Sequence, residues 1–204
     1  MFKILIPARK NSKGFPFKNR RLFTKTADII PDKYKNNTHI FSDDETINQM
    51  GKDYGFVITD RNKKSALDQS TTKELMQDFC SNFTDECNII MLYLTYPERT
   101  WKDVENAYKV FIDTNARSLL CRQDVNPSPY LMMYELENGM GKQIINHNLC
   151  RRQDYKKCFA ISHFISIINS KELTLLNNNL YNNQTYFYPI RDVKDIDYRN
   201  DYEH

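Results

Sequence analysis

The sequence predicts an α/β fold, a doubly wound and mostly parallel sheet in a single domain over residues 1–204, with a small arm within residues 125–165. Three observations predict it. Short, nearly continuous apolar runs alternate with amphipathic runs up to about residue 123. Helix-start signals fall between the apolar runs. The chain is long enough, at 204 residues, for one substantial core.

The elements follow in order. KILIPA, residues 3–8, reads as a strand buried on both faces. HIFS at 39–42 reads as the next strand. Ser42 with Glu45 makes a capping-box pattern, and Ile47, Met50 and Tyr54 recur at helical spacing, with Gly55 placed to end that helix. FVIT at 56–59 is a third strand. Thr71 with Glu74 is a second capping box, followed by the stripe Leu75, Met76, Phe79 and Phe83. NIIMLYL at 88–94 is the strongest strand pattern. Thr100 and Asp103 open another helix, with Val104, Ala107, Tyr108, Phe111 and Ile112 on its inner face. RSLLCRQ at 117–123 follows. Beyond it the pattern loosens into YLMMYEL, a turn at Gly139–Gly141 and FISIIN, with NNNLYNNQ at 177–184 as a loop.

Net charge is only +3, which gives no bulk case for nucleic acid. Its distribution is uneven. The first 25 residues carry eight basic side chains and no acidic one, whereas RDVKDIDYRNDYEH near the end is rich in Asp. No apolar run is long enough to span a bilayer. The opening MFKILIPARK lacks the pattern of a secretory leader, so the expectation is a cytoplasmic protein with no membrane partner. Five cysteines without a CxxC spacing fit free thiols in a reducing compartment. His147, Cys150, Cys158 and His163 match no common zinc spacing and read as packing or surface residues.

In an open α/β sheet, ligands bind beyond the carboxyl ends of the strands. The loop after the first strand, RKNSKGFPFKN, is therefore the default site. Gly14 permits close backbone approach, Pro16 stiffens the turn, and successive N–H groups form an anion-binding nest. Arg9, Lys13 and Lys18 add charge suited to polyphosphate. The loop is neither a Walker-type phosphate loop nor a dinucleotide fingerprint. A solvated lysine-rich loop is the plain alternative. Asp195 and Asp197 stand two apart, so on an extended segment both point to one side and suit Mg²⁺. Two surface aspartates beside an acidic tail is the simpler reading of those residues alone.

IPARKNSKGFPFKN, residues 6–19, resembles the signature loop of the sugar-acid cytidylyltransferases, in particular the acylneuraminate branch. FSDDETINQMGKDYG, RNKKSALDQSTT, LYLTYPERT, RRQD at 151–154 and DIDYRNDY at 195–202 resemble further motifs of that family in the same order. The resemblance implies the Rossmann-like fold of the nucleotide-diphospho-sugar transferases. It also implies transfer of CMP from CTP to a 2-keto sugar acid, with Mg²⁺, in a homodimer. Ala8, Arg9, Ser12, Lys13, Gly14, Lys18 and Asn19 would surround the nucleotide, with Arg61 and Thr71 contacting the cytidine. Lys18, Arg9 and Asp197 would carry the chemistry, and Asp195 and Asp197 the metal. Tyr93, Arg99, Arg151, Gln153, Ser162 and His163 would face the acceptor, a small acidic sugar.

The departures lie on that acceptor side. Tyr93 and Leu94 replace a Gln-Pro pair, Glu98 replaces an apolar residue, and Ser162–His163 replace Asn-Gly. The segment between Asn19 and Ser42 is short. Altered acceptor residues beside a retained nucleotide side imply an active transferase with an unusual acceptor, sialic-acid-like or a smaller acid such as a phosphonate. A paralogue that binds nucleotide and has lost transfer is the competing reading.

Overall fold

The structure is a computed structural model and describes residues 2–12, 14–67 and 69–202. Seven strands form one sheet. They are β1 (Phe2–Ala8), β2 (Thr38–Ser42), β3 (Val57–Asp60), β4 (Asn88–Met91), β5 (Ser118–Asp124), β8 (Phe159–Asn169) and β9 (Thr185–Pro189), in the order β3-β2-β1-β4-β8-β5-β9. Every pairing is parallel except those of β8, which runs antiparallel to β4 and β5. Winding proceeds outward from β1 to β2 and β3, then reverses to β4. That reversal opens a crevice at the carboxyl ends of β1 and β4.

Alternate residues of β1 feed two different layers. Ile4 and Ile6 join a cluster with Leu22, Phe23, Ile47, Val104, Phe111 and Phe164. Leu5 joins the other, with Phe41, Met76, Phe79, Leu173 and Leu180. Helices α1 (Lys18–Ala27), α2 (Glu45–Asp53) and α4 (Trp101–Asp113) therefore cover one face, and α3 (Thr72–Cys80) the other. Fully burying each such side chain is worth roughly 1.5–3 kcal/mol, so this two-sided burial accounts for a sheet whose strands read as unbroken apolar runs.

The capping boxes at Thr71/Glu74 and Thr100/Asp103 form, each with reciprocal side-chain and backbone bonds. The one expected at Ser42 does not. Asp44 is the cap of α2, accepting from the Thr46 N–H at 3.0 Å, while the Ser42 hydroxyl accepts from the Asp44 N–H. A carboxylate next to the helix start outcompetes a hydroxyl two residues earlier. Gly55 ends the turn after α2 with φ +78°. Ile112, expected on the inner face of α4, is exposed.

The largest differences from expectation are two strand boundaries and one additional strand. β4 stops at Met91, because the chain then turns through residues 93–98 to build the crevice floor. β8 begins at Phe159, five residues before FISIIN, and a register shift opposite Leu120/Cys121 lets it continue. β9 was not anticipated; it is a half-buried edge strand ending at Pro189, which cannot extend a ladder.

Residues 125–158 leave the sheet. They carry a small antiparallel pair, β6 (Met133–Glu135) and β7 (Gly141–Gln143), exposed throughout. A ring cluster fastens its base. Tyr130 stacks on Tyr155 at 4.9 Å, and a His147 ring nitrogen bonds the Tyr130 carbonyl at 2.8 Å. A fifth helix, α5 (Arg199–Tyr202), closes the described chain.

Candidate active site

The loop after β1 is pinned from three directions. The Asn19 side chain donates to the Arg9 carbonyl at 2.9 Å. The Lys10 N–H donates to Asp43 at 2.8 Å. Arg20, on the first turn of α1, grips Asp44 through two bonds of 2.7 and 2.9 Å, a paired geometry that arginine favours with carboxylates. Phe17 enters α1 with φ 58°, a left-handed conformation unusual for a bulky residue.

The acidic end of the chain lies across this loop. Ile196 is buried in the core and its N–H donates to the Thr95 carbonyl at 2.9 Å. That register leaves Asp195 and Asp197 on the crevice side. Lys18 Nζ meets Asp197 Oδ1 at 2.8 Å. Gly14 takes its place in this contact. A side chain at position 14 would meet the Asp197 carbonyl at 2.8 Å and the Tyr198 ring at 3.0 Å. The glycine is thus required for close approach of the C-terminal segment, where the sequence suggested approach of a ligand.

Between these two segments is a cavity of about 360 Å³. Arg9, Ser12, Lys18, Asn19, Arg61, Thr71, Tyr93, His163, Asp195 and Asp197 all line it. Ala8, the buried last residue of β1, and Gly14 are not among the lining residues. Lys13 lies outside the described residues.

Charge states in the cavity follow from burial. Burial raises the Asp195 carboxyl above the ordinary range; hydroxyl bonds from Thr95 and Tyr96 pull the other way, the Asp197 charge adds to the rise, and the Lys18 charge opposes it. Burial lowers the Arg61 guanidinium, which donates to the Ser65 carbonyl. Burial also raises the Tyr93 phenol, whose hydroxyl bonds Thr72. The His163 imidazole is lowered by burial, is held to Ser166 Oγ at 3.0 Å, and meets the Tyr93 ring edge to face at 5.9 Å. A neutral imidazole and a neutral phenol therefore form one wall.

Four residues expected on the acceptor side do not line the cavity. Arg99 is fully buried. It donates to the Phe164 carbonyl at 2.6 Å, the Tyr93 carbonyl at 2.7 Å and Thr26 Oγ1 at 3.2 Å, and burial lowers it to about 10. It braces the floor from beneath, because three acceptors converge on it. Ser162 is buried behind Tyr96, 3.4 Å from its hydroxyl, and accepts from the Phe164 N–H. Arg151 and Gln153 are on the arm, with Arg151 paired to Asp154 at 2.8 Å. Conversely, Thr72, Thr95 and Tyr96 line the cavity without having been singled out. Their signal was the hydroxyl-rich composition of STT and LTYP, each next to a helix start or a strand end.

No family model matches the chain. Two curated relatives, both called N-acylneuraminate cytidylyltransferase and both from Streptococcus agalactiae (serotypes V and III), are 24% identical over 212 aligned positions. The match covers 98% of this chain and 51% of each relative, so the chain spans about half the length of the curated relatives it matches. Among solved structures, a CMP:2-keto-3-deoxy-manno-octonic acid synthetase complexed with CTP superposes with a TM-score of 0.67 at 14% identity, covering 99% of this chain and 95% of that one. A 4-diphosphocytidyl-2C-methyl-D-erythritol synthase from Anaerococcus prevotii superposes with a TM-score of 0.65 at 10% identity, covering 98% and 94%. At those identities the superpositions establish the fold. Over 98% of its length the chain is thus similar in sequence to about half of an N-acylneuraminate cytidylyltransferase, and it shares the fold of a CMP:2-keto-3-deoxy-manno-octonic acid synthetase.

Proposed function

We propose that the chain is a cytidylyltransferase that transfers CMP from CTP to a 2-keto sugar acid, sialic-acid-like in class, and releases pyrophosphate. The observation that carries this reading is the convergence of the basic loop and the Asp195–Asp197 segment on one cavity, joined by the Lys18–Asp197 pair. Arg9, Ser12, Lys18 and Asn19 would bind the triphosphate, with Lys13 of the same loop assigned there by motif alone. Arg61 and Thr71 would hold the cytidine. Lys18 supplies charge that strengthens as the α-phosphate is attacked.

The donor set fits Mg²⁺. Two hard carboxylates share one side of the cavity. Among the described residues no group of three or more His, Cys, Asp or Glu could hold a metal, so phosphate and water would complete the shell. When bound, the ion neutralises phosphate charge. Asp195 and Asp197 would hold the ion, and Lys18, paired with Asp197 at 2.8 Å, would be the protein's own positive charge beside the triphosphate.

Tyr93 and His163 would form the acceptor wall, with Arg99 and Ser162 acting from behind it. Arg151 and Gln153 would reach an acceptor only in a homodimer joined through the arm. A reducing, cytoplasmic setting suits the five free cysteines. No helix of the described residues is long and apolar enough to cross a membrane.

Pyrophosphate release from CTP and Mg²⁺ tests the reading. Acceptors should include N-acetylneuraminic, legionaminic, pseudaminic and 3-deoxy-octulosonic acids and small phosphonates. Release with one sugar acid is the expected result. Release only with a phosphonate would replace the acceptor class. Tight CTP binding without release from any acceptor would favour a nucleotide binder without transfer.

A further inference from the structure

Arg61 is fastened from a side that the cavity does not see. We propose that Asp78 is a positioning residue that acts through Ser65 to set the Arg61 guanidinium for CTP; the nucleotide part of this rests on the proposed function. Arg61 directly follows β3 and stands in the cavity wall. One guanidinium nitrogen donates to the Ser65 carbonyl, and Nε lies 3.4 Å from Ser65 Oγ. Ser65 is itself buried.

Asp78 fixes Ser65. The Ser65 hydroxyl donates to Asp78 Oδ2 at 2.5 Å, and the same oxygen accepts from the Asn62 N–H at 3.0 Å. One carboxylate oxygen on α3 thus holds both ends of the 62–65 turn. Asp78 lines a separate pocket of about 230 Å³ behind the loop, not the cavity. Without that oxygen the Ser65 hydroxyl has the Asn62 carbonyl, 2.9 Å away, as its alternative. The turn then keeps its local bond and loses its anchor to α3. A long arginine side chain is costly to order, and here its acceptor is a carbonyl on that turn.

The geometry makes a selective demand. Both bonds use one oxygen, so Asp78→Asn preserves them with its amide oxygen, whereas Asp78→Ala removes them. Calorimetry of CTP should show Asp78→Ala weakening binding by about tenfold, the scale of one lost charged hydrogen bond. Asp78→Asn should bind as the parent does. If transfer is measured, the KM for CTP should rise with kcat retained. In an Arg61→Ala background, Asp78→Ala should add nothing. Ser65→Ala, which spares α3, should weaken CTP in the same direction.

A nucleotide-free readout separates this from the functional reading. The Arg61 Nε–H resonance, identified by its loss in Arg61→Lys, should be protected from exchange in the parent and in Asp78→Asn, and lose protection in Asp78→Ala. If the parent shows that pattern and binds no CTP, the functional reading fails and the latch stands. Unchanged protection in Asp78→Ala, or an equal loss of CTP affinity with and without Arg61, overturns the latch.

Discussion

The cavity and the arm are built on opposite principles. The cavity joins segments far apart in sequence through buried or half-buried polar bonds: Lys18 to Asp197, Arg20 to Asp44, Arg99 to Phe164, Ile196 to Thr95. The arm keeps to itself. Its strands pair with each other, and Leu131, Met133, Tyr134, Leu136, Met140 and Ile144 are exposed. Cross-bracing by long-range polar contacts suits a site that must hold charge in fixed geometry. Apolar side chains left in water on a small hairpin suit a surface that meets something else.

The largest effect should come from breaking the join between basic loop and acidic tail. Lys18→Ala and Asp197→Ala should each lower kcat for CMP transfer by about 10²–10³-fold, the scale of one lost charge contact to a reacting phosphate. Melting should change less than activity, because Asp197 is largely exposed even though the Lys18 side chain is nearly buried. Equal losses in activity and stability would show that the pair is structural.

Next in size is Arg99→Met. It fills similar space but leaves the Phe164 and Tyr93 carbonyls without their donor. Urea unfolding should show about 2–4 kcal/mol lost, from uncovered buried acceptors. A loss of acceptor affinity at unchanged stability would instead return Arg99 to the cavity wall.

These residues also show how much was legible. The alternation of strands and helices to residue 123 was, because buried parallel strands and capped amphipathic helices carry local signals. Thr71 and Thr100 announced their helices, and Arg9, Lys18, Arg61, Asp195 and Asp197 were named before they met. What escaped was set by distance. Gly14 is a glycine because of Asp197, 183 positions later, and no local pattern says so. Arg99 looked like a ligand residue from its motif, and only the fold shows three carbonyl and hydroxyl oxygens closing over it. β9 escaped because an edge strand needs less apolar sequence than a central one.

The body of the fold should also carry the acid sensitivity. His39 on β2 is packed against Phe79 and Phe83 and bonds Thr59 at 2.9 Å. Burial, aided by the Lys3 charge, lowers it from 6.5 to about 4. The unfolded chain therefore takes up a proton near pH 6.5 that the folded chain refuses until about pH 4. Its contribution is whole above pH 6.5, falls as pH drops, and levels off below about 4; a shift of that size corresponds to about 3 kcal/mol. Unfolding measured from pH 7 to pH 4 should show a shallower acid slope in His39→Gln than in the parent.

The smallest effect on folding should come from the arm. Met133→Glu with Ile144→Lys places two charges on side chains that are already more than half exposed, at 66% and 55%. Such surface changes usually stay within about 0.5 kcal/mol, so monomer stability should hold. If the hairpin joins two copies, sedimentation should show the parent as a dimer and the variant as a monomer at micromolar concentration. Activity toward the acceptor should then fall with dimer content, because Arg151 and Gln153 would no longer be presented to a neighbouring cavity. A monomeric parent with full activity would leave the arm outside the site altogether, and would turn attention to Tyr93 and His163 as sufficient for the acceptor.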